Sequence, residues 1–191
     1  EIIIAGIATN GFILAKKLKS ILEEISPIKA VVCEVKIDKK KPLTQVETSI
    51  GESDYKNKSL VLVDDVLNSG TTLMYAVKHF LEVPLKQFKT AVLVNRNHKK
   101  YPIKADIKGL SLSTSLQEHI ALEIKGNKMI GYFVSQPDSL YYQSAKFTKV
   151  LNFIQTNPSD AKMNERNNKL RLIFDKVKSI SKAISNLERV E

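Results

Sequence analysis

Three runs in the chain, "AVVCEVKI" (30–37), "SLVLVDDV" (59–66) and "KTAVLVNR" (89–96), are short, rich in β-branched residues and almost continuously apolar. A strand with one wet face alternates apolar with polar; near-continuity means that both faces are covered, as when helices flank a parallel sheet. The chain supplies the covering pieces. "EIIIAGI" at the start is followed by "GFILAKKLKSILEEI", in which Phe12, Leu14, Ala15, Leu18, Ile21, Leu22 and Ile25 recur near helical spacing until Pro27 ends the pattern. "TTLMYAVKHFLEV" lies between the last two runs. This order implies right-handed crossovers and an α/β fold, a mostly parallel sheet with flanking helices. After Arg96 the pattern changes to "IKGLSLST", "HIALEIKG" and "KMIGYFVS", short alternating pieces that predict a small antiparallel hood or edge, and from Pro137 onward the chain reads as helical.

With 191 residues and 43% hydrophobic content, one substantial core and an appendage are expected. The expected division is a domain over 1–134 and a helical C-terminal extension over 135–191. No apolar run approaches the ~20 residues of a membrane span, and no charged-then-apolar leader is visible, so a cytoplasmic chain without membrane contact is predicted. The sequence starts without Met directly on a strand pattern, which points to an incomplete N-terminus. The single Cys33 sits inside a strand pattern without Cys or His company and reads as a core thiol. Nor do the histidines suggest a metal cluster, with His79 in a helix pattern, His119 in a strand pattern and His98 in a basic loop. The net charge of +10 suits anionic partners and equally suits plain solubility.

The motif that carries chemistry is "VLVDDVLNSGTTL" (61–73). In an open α/β sheet ligands sit beyond the carboxyl ends of the strands, and this strand delivers Asp64 and Asp65 there. Their partners would be hydroxyls or a metal. Asn68, Ser69, Gly70, Thr71 and Thr72 then supply backbone N–H groups, hydroxyls and a glycine free to take positive φ, at a helix N-terminus whose dipole favours an anion. A sugar phosphate fits both halves. Helix capping by Asp65 and Ser69 would account for one carboxylate and not for two. The loop is not a Walker A motif, since no Lys follows Gly70.

At these residues the sequence resembles the type I phosphoribosyltransferases, whose motif for 5-phosphoribosyl-1-pyrophosphate is an apolar strand, two acids, two more residues and a short loop with Thr-Gly or Ser-Gly and a Thr. The resemblance implies that Asp64 and Asp65 hold the ribose 2- and 3-hydroxyls, with Mg²⁺ beside them as cofactor, while Asn68 to Thr72 wrap the 5-phosphate. It implies that "GIATNG" contains a pyrophosphate loop, Ala8, Thr9, Asn10 and Gly11, and that 35–55 is a mobile loop over the active site. A narrower resemblance lies in "VLVNRNHKKYPIKADIKGLSLSTSLQEHI", which is similar to the bacterial pyrimidine operon attenuators that are also uracil phosphoribosyltransferases. The matching positions are Arg96, His98, Lys99, Pro102, Ala105, Asp106, Gly109, Thr114 and Ser115. Together the resemblance covers roughly 1–134 and implies transfer of phosphoribose to a nucleobase, a pyrimidine such as uracil, in pyrimidine salvage, by a chain that self-associates.

Three positions depart from the family pattern. Asn68 stands where an acid or an aromatic is common, and an amide cannot serve as a general base. Thr71 replaces a basic residue and Asn10 replaces an Arg expected to face pyrophosphate, a loss that Lys39, Lys40 and Lys41 could offset. No residue is therefore assigned as catalytic, and a catalytically weak nucleotide sensor is an alternative. A further alternative is RNA binding: the attenuators bind their messenger through basic residues in the matching region, here His98, Lys99 and Lys104, although Leu110 falls on a basic position of that family. The tail offers Leu170, Ile173, Val177, Ile180, Ile184 and Leu187 at alternating steps of three and four, a seam suited to docking on the domain or to a short coiled coil.

Overall fold

The computed structural model describes residues 1–38, 45–96, 99–112, 118–125, 128–135 and 173–187. Its elements are β1 (Ile2–Ile7), α1 (Asn10–Ile25), β2 (Ala30–Lys36), β3 (Glu47–Thr48), α2 (Glu52–Tyr55), β4 (Ser59–Leu67), α3 (Thr71–Phe80), β5 (Gln87–Arg96), β6 (Ile107–Leu112), β7 (Glu118–Lys125), β8 (Lys128–Ser135) and α4 (Ile173–Ser185). Six strands form one sheet in the order β3-β2-β1-β4-β5-β6, every pairing parallel except the short antiparallel contact of β3 with β2. The expected α/β class is present, and each predicted strand-helix-strand unit is found.

The burial of β1 explains its sequence. All six residues, Ile2 to Ile7, are buried, because successive side chains enter opposite layers. Ile3, Ala5 and Ile7 join a core with Leu60, Leu62, Val92, Tyr55 of α2, and Leu73, Ala76 and Phe80 of α3. On the other face Gly6 meets α1: a Cβ there would lie 2.5 Å from the Gly11 carbonyl oxygen and 2.8 Å from Ala15 Cβ, so only glycine lets the helix approach this closely. α1 turns Leu14, Ala15, Leu18 and Leu22 inward, the stripe expected from its spacing. It stops at Ser26, which is extended as a residue before proline should be and donates its hydroxyl to the Leu22 carbonyl at 2.7 Å. Tyr55 and Phe80 meet edge to face with ring centroids 5.1 Å apart, closing the opposite layer.

The three alternating pieces after Arg96 do not behave alike. β7 and β8 form the antiparallel ribbon expected, paired from Glu118 with Ser135 to Lys125 with Lys128. The piece at 107–112 is instead the parallel edge strand β6, paired with β5 from Ala91 with Ile107 to Arg96 with Leu112. Its start is held by a clamp: the Thr90 N–H and hydroxyl donate to Asp106 Oδ2 at 2.9 and 2.8 Å, and the Asp106 N–H donates back to Thr90 Oγ1 at 3.1 Å. Gly109 lets β6 lie close, since a Cβ there would stand 2.6 Å from the Leu93 carbonyl oxygen. Burial opposes the Asp106 charge, but the Thr90 donors and the Lys89 ammonium outweigh it and hold the carboxyl below its ordinary value.

Two compact units result, one of 1–113 with 175–191, the other of 114–174. Within the first, α4 buries Val177, Ile180 and Ile184, each no more than 1% exposed, and Lys176 Cβ approaches the Gly109 position to 3.2 Å. The central part of the tail seam is therefore docked on its own domain; Leu170 lies outside the described residues.

Candidate functional site

The parallel order fixes where a ligand can sit. From β1 the chain crosses through α1 to β2 on one side; from β4 it crosses through α3 to β5 on the other, and β1 and β4 are neighbours. The switch point of the sheet is thus between β1 and β4, with α1 and α3 on opposite faces and both connecting turns at the carboxyl edge. Register opens this crevice further. Pairing of β4 with β1 ends at Gly6 with Val63, whereas pairing with β5 continues to Leu67 with Asn95. Asp64 and Asp65 therefore lie just past the last rung shared with β1, within the final stretch of β4 rather than after its end.

Both acids are held by local backbone. The Asp65 N–H donates to Asp64 Oδ1 at 2.9 Å, and the Val66 N–H donates to Asp65 Oδ1 at 2.8 Å. Asp64 is only 6% exposed and Asp65 is half-buried. Across the crevice, Asn10 at the start of α1 donates from Nδ2 to Asp65 Oδ2 at 2.8 Å, joining the β1–α1 turn to the acid pair over 55 residues of sequence. Gly11 permits this approach: a Cβ on it would come 2.8 Å from the Val63 carbonyl oxygen and 3.2 Å from Asp64 Cα. Ala8 is anchored by its N–H to the Val35 carbonyl at 2.8 Å, Thr9 is exposed, and the peptide between them is cis.

The second turn leaves β4 through Asn68 and Ser69 and enters α3 after Gly70, the N-cap residue, at φ +83°. That is a left-handed conformation which glycine adopts without penalty. The Ser69 and Thr71 hydroxyl oxygens are 2.9 Å apart, and the Thr71 N–H donates to Ser69 Oγ at 3.3 Å. Thr72, half-buried, begins the helix beside them. Hydroxyls and first-turn N–H groups are thus gathered at the positive end of α3. The segment after β5 folds back on this turn: Lys100 and Tyr101 donate their N–H groups to the Ser69 carbonyl at 2.9 and 3.1 Å. From β5, Arg96, 5% exposed, donates from Nη1 to Asn68 Oδ1 at 2.8 Å.

Ala8 to Gly11, Asp64, Asp65, Asn68 to Thr72 and Arg96 are accordingly all on the carboxyl side of the sheet, on three strands and the turns that follow them. Lys99 and Lys104 lie in the segment behind the phosphate-like turn, and His98 lies outside the described residues, as do Lys39, Lys40 and Lys41. Partial burial, then the nearby ammoniums of Lys108 and Lys104, push the Lys99 pKa down, which marks the three as one positive cluster. The expected mobile loop 35–55 includes the end of β2, β3 and α2, while its centre, 39–44, lies outside the described residues. Two relations were not visible in the sequence: the Asn10 bridge to Asp65 and the Arg96 grip on Asn68, each joining residues of separate elements. Among the described residues no three His, Cys, Asp or Glu side chains gather as a metal cage. His79 packs edge to face on Phe80, centroids 5.3 Å apart, in keeping with a structural role.

The phosphoribosyl transferase domain model matches residues 1–123. The chain is 32% identical over 130 residues to the bifunctional protein PyrR of Streptococcus agalactiae serotype Ia, an alignment covering 65% of this chain and 73% of that protein. Against the bifunctional protein PyrR of Streptococcus pyogenes serotype M12 the identity is 31% over 127 residues, with the same shares covered. Two solved structures of the hypoxanthine phosphoribosyltransferase of Trypanosoma cruzi superpose with TM-scores of 0.51 at 16% and 14% identity, covering 60% of this chain and 61% and 62% of theirs. The chain thus spans about three fifths of the length of those solved enzymes, and at that identity they speak to the fold, the same parallel sheet. With a family model matching residues 1–123, which hold all six strands of the sheet, and relatives about 32% identical over 65% of the chain, the chain belongs to the phosphoribosyl transferase domain family.

Proposed function

We propose that the chain binds 5-phosphoribosyl-1-pyrophosphate and transfers its phosphoribose to a pyrimidine base such as uracil, releasing pyrophosphate. The observation that carries this reading is the juxtaposition, at one switch point, of an acid pair and a hydroxyl-lined helix N-terminus built on a left-handed Gly70. Asp64 and Asp65 accept from the two ribose hydroxyls. Ser69, Thr71, Thr72 and the backbone N–H groups of the turn hold the 5-phosphate, and the α3 dipole adds to its binding. The Ala8–Gly11 turn faces the diphosphate across the crevice. Carboxylate oxygens suit Mg²⁺, which takes one or two carboxylates together with substrate phosphates; Asp64 and Asp65 would hold it, and it would neutralise charge on the departing diphosphate. Bond breaking at the anomeric carbon leaves an oxocarbenium-like centre, for which the protein supplies positioning and nearby negative charge rather than a nucleophile. The pyrimidine assignment rests on the likeness to the PyrR proteins. Release of pyrophosphate on adding uracil to protein, phosphoribosyl pyrophosphate and Mg²⁺ tests it; silence with every free base refutes the transfer.

The cluster of Lys99, Lys104 and Lys108 supports a second reading, RNA binding by phosphate contact. Lys99→Ala and Lys104→Ala should then each weaken RNA affinity and lower its salt slope by roughly one phosphate, leaving phosphoribosyl pyrophosphate binding unchanged.

A further inference from the structure

The contact between Arg96 and Asn68 fixes more than a distance. A guanidinium has five N–H donors and no acceptor, so the atom of the Asn68 amide that it meets at 2.8 Å must be the oxygen. The amide is thereby oriented without ambiguity, and what Asn68 has left to offer is Nδ2 with its two protons. Residue 68 is exposed, and no described residue takes those protons. Arg96 is itself buried to 5% exposure, so the oriented amide stands on a fixed support and not on another mobile surface chain. Asn68 follows Leu67, which pairs with Asn95, so Asn68 and Arg96 sit side by side at the ends of neighbouring strands. In front of Asn68 in the chain are the acids, behind it the hydroxyl-lined turn, and beside it the end of β5. A sugar phosphate anchored at both those places leaves its anomeric substituent as the remaining group for residue 68 to meet.

We infer that Asn68, oriented by Arg96, is a specificity-determining donor that reads the 4-oxo oxygen of a pyrimidine base attached to the phosphoribose. This rests on the proposed phosphoribosyl reading of the site and adds the sense of its selectivity. A position occupied by N–H groups alone favours an oxo substituent and rejects an amino substituent, which would set donor against donor and leave polar groups unpaired. It also excludes proton abstraction by residue 68, because an amide has no basic lone pair to give. The base therefore loses its ring proton to solvent or to another group, and Asn68 acts on binding and orientation.

Uridine and cytidine 5-monophosphates differ at the C4 substituent, oxygen against amino group, and at the adjacent N3, N–H against lone pair, and serve as the probes. Calorimetric titration of the full chain should show uridine monophosphate binding roughly tenfold or more tighter than cytidine monophosphate. Asn68→Asp places an acceptor at the same spot, still paired with Arg96, and should invert the preference. Asn68→Ala removes the donor without adding charge and should bring the two affinities together. Phosphoribosyl pyrophosphate is titrated into the wild type alongside, as the control for the sugar-phosphate site. Wild-type protein that binds phosphoribosyl pyrophosphate but does not distinguish the two nucleotides, or whose preference survives both substitutions, overturns the role given to Asn68 and leaves the sugar-phosphate site standing. Wild-type protein that binds neither nucleotide nor phosphoribosyl pyrophosphate overturns the site itself.

Discussion

Gly70→Ala is the most informative single change in the phosphate-like turn, because two independent costs fall on one methyl group. At φ +83° an L-residue crowds its own backbone, a penalty of about 1–2 kcal/mol. The new Cβ would also lie 2.6 Å from Ile103 Cγ2, well inside contact distance. Ile103 is buried, its χ1 is restricted by branching, and its N–H donates to the Tyr101 carbonyl at 2.8 Å, so retreat means shifting the 101–103 segment that covers the turn. Overpacking of this kind costs about 1–3 kcal/mol. The sum, roughly 2–5 kcal/mol, should appear as a lower denaturation midpoint with unchanged slope, and the folded fraction should bind phosphoribosyl pyrophosphate at least tenfold more weakly. Urea unfolding followed by circular dichroism, with calorimetry on the folded protein, measures both. A variant as stable as wild type and equal in affinity would refute the conformational reading of the turn.

Ile180→Ala in α4 should lower stability by about 2–5 kcal/mol while leaving phosphoribosyl pyrophosphate affinity intact, because a fully buried side chain is removed far in sequence from every proposed ligand contact; denaturant unfolding that shows no loss would contradict the docking of this helix. Thr90→Val removes one donor to Asp106 and should destabilise the start of β6. Since the folded-state pKa of Asp106 is depressed, its contribution is complete above the ordinary carboxylate value of 3.8 and fades as the pH falls through the lowered one, so the stability gap between wild type and variant should narrow on acidification; a gap that widens in acid would contradict the assignment.

How far the fold and site could be read from sequence follows the range of the interactions involved. β1, β4 and β5 announced themselves by unbroken apolar runs, and α1 and α3 by spacing and by Pro27 and Gly70, all local signals. β6 misled because its alternation is that of a half-covered edge, which parallel and antiparallel edges share; the Thr90–Asp106 clamp that sets its direction joins residues 16 apart and has no local pattern. β3 and α2 were absorbed into an expected loop because a two-residue strand and a four-residue helix are too short for periodicity to register. At the site, Asp64, Asp65 and the Asn68–Thr72 turn were legible as one contiguous motif. The substitution of Asn at positions 10 and 68 read as loss of charge and of a base; the hydrogen bonds to Asp65 and from Arg96 show what those amides do instead, and both depend on strands brought together only by folding.

The central claim is that the acid pair at the β1–β4 switch point holds the ribose of phosphoribosyl pyrophosphate. Calorimetric titration of phosphoribosyl pyrophosphate with Mg²⁺ into wild type and into the Asp64→Asn, Asp65→Asn double variant tests it directly. Charge-assisted hydrogen bonds contribute about 1.5–3 kcal/mol each, so the double variant should lose at least two orders of magnitude in affinity while keeping its fold. A folded double variant that binds as tightly as wild type would contradict it.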